Sequence, residues 1–430
     1  MRKITLVLLA AFFALPAAGQ SAVKTLKVNR AITKQAKQCI ECHAGKSPGI
    51  VADWKQSRHA HAGVSCVDCH EVAMHEKLAA QNCPGVKGTE THLTVLVTSK
   101  VCGRCHAEER QQFNQSGHYR ARKQYINNKD MHELISVHEG RNMPQYKTTS
   151  DETGCMQCHG SVISLDKNKR PDKTCWPTAG MGTVYPDGTV GNCVVCHTRH
   201  LFSIAEARKP EACASCHLGP DHPNIEIYEN SKHGHLYKTQ GHEWNYTSAP
   251  DAWEPGDYRG PTCATCHQSG IGDLTTTHNV SERLKWNLWA KESKVRNSKD
   301  PMSPLAGNGE SGRKFMQSVC RNCHSNHHSE NYFKQFDDMV GLYNQGYWQP
   351  ARKMYDELEK KNLLKSNPWE DEFQKIFYHL WHHEGRRMRQ GAAMGAPDYA
   401  HWHGIFECQQ DLYELQIIYK KRIETGKISD

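Results

Sequence analysis

The pattern Cys-x-x-Cys-His occurs eight times in this chain: at Cys39, Cys42 and His43; Cys66, Cys69 and His70; Cys102, Cys105 and His106; Cys155, Cys158 and His159; Cys193, Cys196 and His197; Cys213, Cys216 and His217; Cys263, Cys266 and His267; and Cys320, Cys323 and His324. Two sulfurs that can form thioethers, followed at once by an imidazole that can ligate iron, are the attachment signature of a c-type haem. A single copy is also compatible with half a zinc ribbon or with a redox dithiol. Eight copies absorb sixteen of the nineteen cysteines, and each has its histidine, which neither zinc nor dithiol chemistry demands. The expectation is eight covalently attached haems, with these eight histidines as proximal iron ligands.

Twenty of the 28 histidines then remain for distal positions and other work. A recurrence, aromatic-x-(Gln/Asn)-Ser-x-His, runs from Trp54 to His59, from Phe113 to His118 and from Tyr228 to His233. A short helix there sets the aromatic against a porphyrin face and aims the histidine at an iron; three surface histidines that match by accident are the alternative. His75, His200, His278 and His327 lie close to a motif or follow a Thr or Asn that can fix the ring. With His59, His118 and His233 they make seven candidate distal ligands, enough for seven capped irons and one open one.

If every iron were capped, the protein could only pass electrons; an enzyme needs an open iron face with proton donors beside it. The segment Gly219-Pro220-Asp221-His222-Pro223, just after the sixth motif, sets an acid beside an imidazole on a constrained loop. Its alternative reading is structural, with Asp221 capping the next helix and His222 as a distal ligand. Cys83, Cys175 and Cys408 stand outside the motifs, and two of them could form a disulfide. Trp402 and His403 pack on or ligate a haem or, more simply, pack in a core, and Met388 and Met394 are either ligands or, as methionine more often is, gap-fillers.

The elements that must position these groups are uneven along the chain. Residues 1–19 read as a signal peptide: Arg2 and Lys3, an apolar run from Ile4 to Ala18, and small residues at a cleavage point. No later stretch is long and apolar enough for a membrane span, so a periplasmic location is expected. The formal charge of +8 falls to +6 without Arg2 and Lys3. Each ferric haem with ionised propionates adds about −1, leaving the oxidised holoprotein near about −2, so nucleic acid is not an expected partner. Few apolar side chains are available to form a core, and porphyrins must supply much of the buried apolar surface; the apoprotein is expected not to fold.

Strand signals are sparse, with Leu93 to Thr98 the one clear β-branched run. Residues 291–313 read as a polar surface connection. From Tyr332 onward the chain reads as long helices, one opening at Asn367 and running to about Gln390, another from near Asp398 to Lys421 and Arg422, with a Gly/Ala/Pro bend between Gly391 and Pro397. The fold class is mainly α: a haem-packed multihaem cytochrome body over residues 20–330 and a C-terminal bundle of long helices over residues 331–430.

In its eight motifs and their order, in His-Leu-Gly-Pro-Asp-His-Pro (217–223) followed by Ser231-Lys232-His233-Gly234, in Pro-Thr-Cys-Ala-Thr-Cys-His (261–267) followed by Thr277-His278, and in Gly-Ala-Pro-Asp-Tyr-Ala-His-Trp-His-Gly (395–404), the chain resembles the octahaem hydroxylamine oxidoreductase family. The resemblance implies a mostly helical fold, a homotrimer, haems in close pairs and catalysis at the fourth haem, here on Cys155, Cys158 and His159. It implies that Asp221 and His222 overhang the open iron face and handle protons. Oxidative members carry a tyrosine from a neighbouring subunit bonded to the catalytic porphyrin; in this chain that position is Ala393, with Tyr399 the nearby substitute. No Cys-x-x-Cys-Lys is present, unlike the lysine-ligated octahaem nitrite reductases. The implied function is reduction of nitrite or hydroxylamine to ammonium, fed by a redox partner cytochrome or quinol-linked donor. Hydroxylamine or hydrazine oxidation through a Tyr399 cross-link and a non-catalytic electron conduit are the alternatives; tetrathionate reduction is a remote one.

Overall fold

The computed structural model describes residues 26–73, 78, 81–83, 92–126, 156–178, 180–220, 222–284 and 309–428. The signal peptide, Cys155, Asp221, His75 and most of the 291–313 connection lie outside them. Where Cys-x-x-Cys-His is helical, its spacing puts both sulfurs and the imidazole on one side of a single turn. The turn is closed in the same way at several motifs, the histidine amide donating to the carbonyl of the first cysteine: 2.9 Å at His106, 3.2 Å at His197, 3.0 Å at His217 and 2.9 Å at His324.

Around these turns the N-terminal two thirds is built of short pieces. Helix α1 (Lys34–Lys46) is capped by Thr33, whose hydroxyl accepts from the Ala36 amide, and contains the first motif; α2 (Pro48–Gln56) follows at once. The second motif is a one-turn helix with a Ser65/Asp68 capping box, and Arg30 pairs with the Asp68 carboxylate. Sheet structure is a small antiparallel ribbon, with Glu71–Val72 and Gln81–Asn82 flanking a central His92–Leu93. The predicted run from Leu93 to Thr98 therefore enters the sheet only at its first residue. Thr94 is diverted instead, its amide bonded to His70 O and its carbonyl to the His70 ring.

The recurrence with Ser at its fourth position is a kink between two helical pieces. In α2, in α3 (Ala107–Gln115) and in α4 (Asn224–Asn230), the buried aromatic ends one piece and the serine starts the next turn. Ser57, Ser116 and Ser231 donate to the aromatic's carbonyl at 2.6, 2.6 and 2.7 Å. Each accepts in return from the amide three residues on, at 3.1, 3.3 and 3.1 Å. The hydroxyl thus satisfies a terminal carbonyl of one helix and a free amide of the next. After Ser231 the second piece is α5 (Lys232–Gln240).

The C-terminal third is three long rods, each interrupted by a π-turn. The polar connection predicted up to residue 313 ends sooner, because α6 (Gly309–Cys320) already carries the eighth motif at its end. The first rod is α7 (Asn326–Leu342), the π-turn Tyr343–Trp348 and α8 (Gln349–Lys360). The second is α9 (Glu372–Tyr378), the π-turn His379–Glu384 and α10 (Gly385–Met394). The third is α11 (Pro397–Ala400), the π-turn His401–Phe406 and α12 (Glu407–Thr425). The second rod begins later than predicted: Pro368–Glu370 is a 3-10 turn, and the cap is Asp371, which accepts from the Gln374 amide. The bend is tighter than its sequence suggests, since only Gly395, left-handed at φ 65°, and Ala396 leave the helix.

The largest cluster of buried apolar side chains lies here, from Tyr343 through Leu380 and Met388 to Leu415. Among the described residues, the haem-binding region has small clusters, such as Trp244, Tyr246, Trp253 and Tyr258, or Phe113, Ala121 and Met181. Arg422 and Asp371, both fully buried, tie the third rod to the second at 3.0 Å, and Arg422 also donates to Leu363 O at 3.0 Å.

Burial alone raises the Asp371 pKa, but Arg422 and the Lys365 and Gln374 amides outweigh it and hold the carboxyl below its ordinary value. A lowered carboxylate pKa adds stability above the unfolded-state value that is lost as pH falls through the folded-state value. Asp371→Asn should therefore cost about 3 kcal/mol or more near neutrality, by leaving Arg422 buried and unpaired, with the gap from the unaltered protein closing below about pH 4 in urea titrations. Ser231→Ala should cost about 1 kcal/mol in the same assay.

Candidate haem-binding and catalytic site

The attachment turns orient their imidazoles through the ring nitrogen that does not face iron. Nδ1–H of His70 donates to Thr94 O at 2.7 Å, that of His159 to Ala121 O at 3.2 Å and that of His217 to Asn224 Oδ1 at 3.2 Å. Such bonds fix the tautomer that leaves Nε2 as a ligand. Burial pushes His118, His197 and His267 down to about 4, with nearby imidazoles adding to the effect, so these rings are neutral and keep a lone pair. Burial likewise lowers His59, His70, His200, His217, His233 and His278. His106 goes the other way, raised by its hydrogen bond to Glu109.

Five attachment histidines have a second imidazole across a gap. Ring centres are 6.1 Å apart for His59 and His106, 6.3 Å for His70 and His200, 6.2 Å for His118 and His217, 6.3 Å for His197 and His278, and 6.2 Å for His233 and His324. Two imidazoles bound to one iron from opposite sides, with iron–nitrogen bonds of about 2 Å, put their ring centres roughly 6 Å apart. The residues present therefore fit iron porphyrin at these five places. The three serine-kink histidines, 59, 118 and 233, are all among the facing rings.

His327 is not. It lies exposed, its ring accepting from Asn331 Nδ2 at 3.0 Å, and the rings near His324 are His233 and, stacked at 4.3 Å, His328. On α7 a one-residue step rotates the side chain by about 100°, which adjacency to a motif cannot resolve. Among the described residues no ring stands at the pairing distance from His43 or His267.

The attachment sulfurs also reveal how the motifs neighbour one another. Cys102 touches Cys193, Cys213 touches Cys263 and Cys158 touches Cys216. Cys39 is close to Cys66, Cys69 to Cys102, Cys196 to Cys213 and Cys216, and Cys266 to Cys320 and Cys323. The first, second, third, fifth, sixth, seventh and eighth motifs thus form one continuous succession, and the fourth joins it beside the sixth.

At the fourth motif the backbone is clamped. Met181 donates to Cys158 O at 3.0 Å and Gly182 to His159 O at 3.2 Å. Gly160, at φ 101°, lies so near that a β-carbon there would meet the Thr183 amide at 2.2 Å. The contact of Cys158 with Cys216 brings this turn to the sixth motif, after which the chain passes His222 and enters α4. His222 is exposed, with its ring 6.5 Å from that of His217.

The C-terminal rods reach the same neighbourhood: α10 and α11 both pack on α4, and Asn224 Nδ2 donates to Gln390 Oε1 at 3.4 Å. Ala393 offers its carbonyl to the Tyr332 hydroxyl at 2.6 Å. Tyr399 is half-buried, 5.0 Å from the His403 ring. Trp402 does not enter a core, being 64% exposed, and His403 bonds Glu407 at 3.1 Å. Met388 is buried and Met394 half-buried. Cys83, Cys175 and Cys408 are free, the last two buried far apart in sequence in separate clusters. No helix among the described residues is long and apolar enough to cross a membrane.

Residues 186–367 match the family model described as seven times multi-haem cytochrome CxxCH, and residues 11–71 match that of cytochrome c554 and c-prime. The chain is 28% identical over 341 residues to a probable nitrite reductase-hydroxylamine oxidoreductase fusion protein of Kuenenia stuttgartiensis, an alignment covering 70% of this chain and 35% of that protein. This chain thus spans about a third of the length of that relative. Its fold is similar to a solved hypothetical multihaem protein (TM-score 0.75, 22% identity, 93% of this chain and 97% of the other). It is also similar to a chain of a reducing HAO-like protein complex of Kuenenia stuttgartiensis (TM-score 0.62, 22% identity, 91% and 86%). A chain that repeats this attachment turn carries the multihaem cytochrome pattern matched over residues 186–367, and in sequence and backbone it is similar to proteins described as hydroxylamine oxidoreductase-like.

Proposed function

We propose that the chain is an exported, periplasmic octahaem oxidoreductase that reduces nitrite or hydroxylamine toward ammonium at the haem attached through Cys155, Cys158 and His159. The observation that carries this reading is the contact of Cys158 with Cys216. It brings the fourth attachment turn to the sixth motif, which Asp221-His222, the acid-imidazole pair marked by the family resemblance, follows in sequence. When bound, the haems supply electron transfer and, at an iron with an open face, a place for an N-bound substrate.

The protein's own part is to hold charge and move protons. His222 is exposed to water on one side and so can be reprotonated between turnovers; Asp221, its neighbour in sequence, hydrogen-bonds substrate and orients it. His59, His118, His200, His233 and His278 would hold irons together with His106, His217, His70, His324 and His197, and haems held so would carry electrons without binding substrate. The succession of attachment sulfurs is in keeping with electrons from a redox partner cytochrome or quinol-linked donor reaching the fourth haem by way of the sixth.

The reductive direction rests on Ala393, which presents a methyl group where oxidative members of the family have a tyrosine. The printed descriptions of the relatives, one a probable nitrite reductase-hydroxylamine oxidoreductase fusion and one a reducing complex, are in keeping with nitrogen-compound chemistry. In a homotrimer a neighbouring subunit's C-terminal rods would lie close to this site.

Asp221→Asn combined with His222→Ala should reduce steady-state nitrite or hydroxylamine reduction 100-fold or more while haem content per chain stays at the level of the unaltered protein; undiminished turnover would refute the assignment. In the dithionite-reduced spectrum, ordinary c-type bands are expected, together with a high-spin component in the oxidised state. An additional red-shifted ferrous band, abolished in Tyr399→Phe, would instead signify a tyrosine-linked haem and oxidation of hydroxylamine or hydrazine. Purely low-spin bands would leave an electron conduit.

A further inference from the structure

The π-turn His379–Glu384 gathers three groups that the haem chemistry does not use. Hydrogen bonds that skip five residues, as in a π-turn, bring positions i, i+4 and i+5 to one side of the helix. Here those positions are His379, His383 and Glu384, whose ligand atoms all lie within 4.8 Å of one another. His383 and Glu384 are buried, and His379 is half-exposed, with its ring 5.0 Å from that of His383. Glu384 Oε2 is buried and bonded to no other group among the described residues. The elements packed on this turn are α9, α10, α12 and the other two π-turns, none of which carries an attachment motif.

We propose that His379, His383 and Glu384 form a binding site for one divalent transition-metal ion of zinc's class, separate from the haem irons. Two imidazoles and a carboxylate are a donor set that zinc accepts, with the remaining position left to water. The residues need to draw together only slightly to reach bonds of about 2 Å. Half-exposed His379 provides the way in from solvent. Glu384, Glu407 and Asp411 crowd together here with Arg387 and the buried Arg389 as nearby cations, and an ion beside Glu384 would add positive charge to this acidic group. Arg387 Nη1 is already 2.9 Å from Glu407 and stands 3.5 Å from Glu384, so an ion can take Glu384 without stranding the arginine. Only 3.9 Å separates His379 Nδ1 from Glu384 Oε1, the gap that the ion would bridge.

The test uses haem-loaded protein stripped with chelator, titrated with zinc and read by metal analysis and zinc-edge X-ray absorption, which the haem irons do not obscure. One zinc per chain in a nitrogen/oxygen shell with imidazole scattering is expected. His379→Ala and His383→Ala should each weaken zinc binding at least 10-fold with haem content unchanged. If Glu384→Gln fails to fold, His379→Ala decides, because that side chain is half-exposed and least needed for packing. No retained zinc, or zinc held equally well by both histidine variants, would overturn the proposal.

Discussion

The fold hangs on a gap of about 6 Å between pairs of imidazoles. One ring of each pair is supplied by a short turn of the Cys-x-x-Cys-His pattern, and the other comes from anywhere between 47 and 130 residues away in the chain, as with His59 facing His106 and His70 facing His200. Imidazoles held at this separation suit an iron porphyrin between them, and porphyrin surface would supply the apolar packing that the scattered small clusters among the described residues of the N-terminal two thirds do not.

A second consequence is local. A distal histidine must be aimed to within a fraction of an ångström, yet the segments that carry these residues are short. The serine kink answers this with one hydroxyl: it terminates a helix whose buried aromatic anchors the segment and starts the turn that carries the histidine. Because the same two hydrogen bonds recur at Ser57, Ser116 and Ser231, the same backbone shape sets His59, His118 and His233 each opposite an attachment histidine. The C-terminal rods obey ordinary rules by contrast. They bury a side-chain core, close it with the Asp371–Arg422 pair, and lend α10 and α11 as a wall behind the loop of His222.

Much of this was legible in the residues themselves. The attachment turns are local, so their pattern could be read from spacing, as could the long helices of the last third. The shape shared at His59, His118 and His233 was legible because a repeated hydrogen-bonding pattern leaves a repeated sequence. His200 and His278, singled out by proximity to a motif, face attachment histidines at 6.3 Å, whereas His327, singled out in the same way, bonds Asn331 instead. The strand expected over Leu93 to Thr98 shrank because Thr94 is claimed by the His70 ring, a demand made from 24 residues away. The helix expected from Asn367 starts at Asp371, because a buried partner, Arg422, selects which acid becomes the cap.

By itself the sequence determined the class of chemistry that the chain can hold, covalently attached c-type haem on Cys-x-x-Cys-His turns, and where the long helices of the last third lie, since these depend on residues within a turn or two of one another. Only the tertiary structure decided which imidazole faces which, that the fourth motif meets the succession at the sixth, and that His379, His383 and Glu384 converge on one side of a π-turn. Those are relations between groups far apart in sequence, or changes of helical pitch imposed by packing, and no local spacing encodes them.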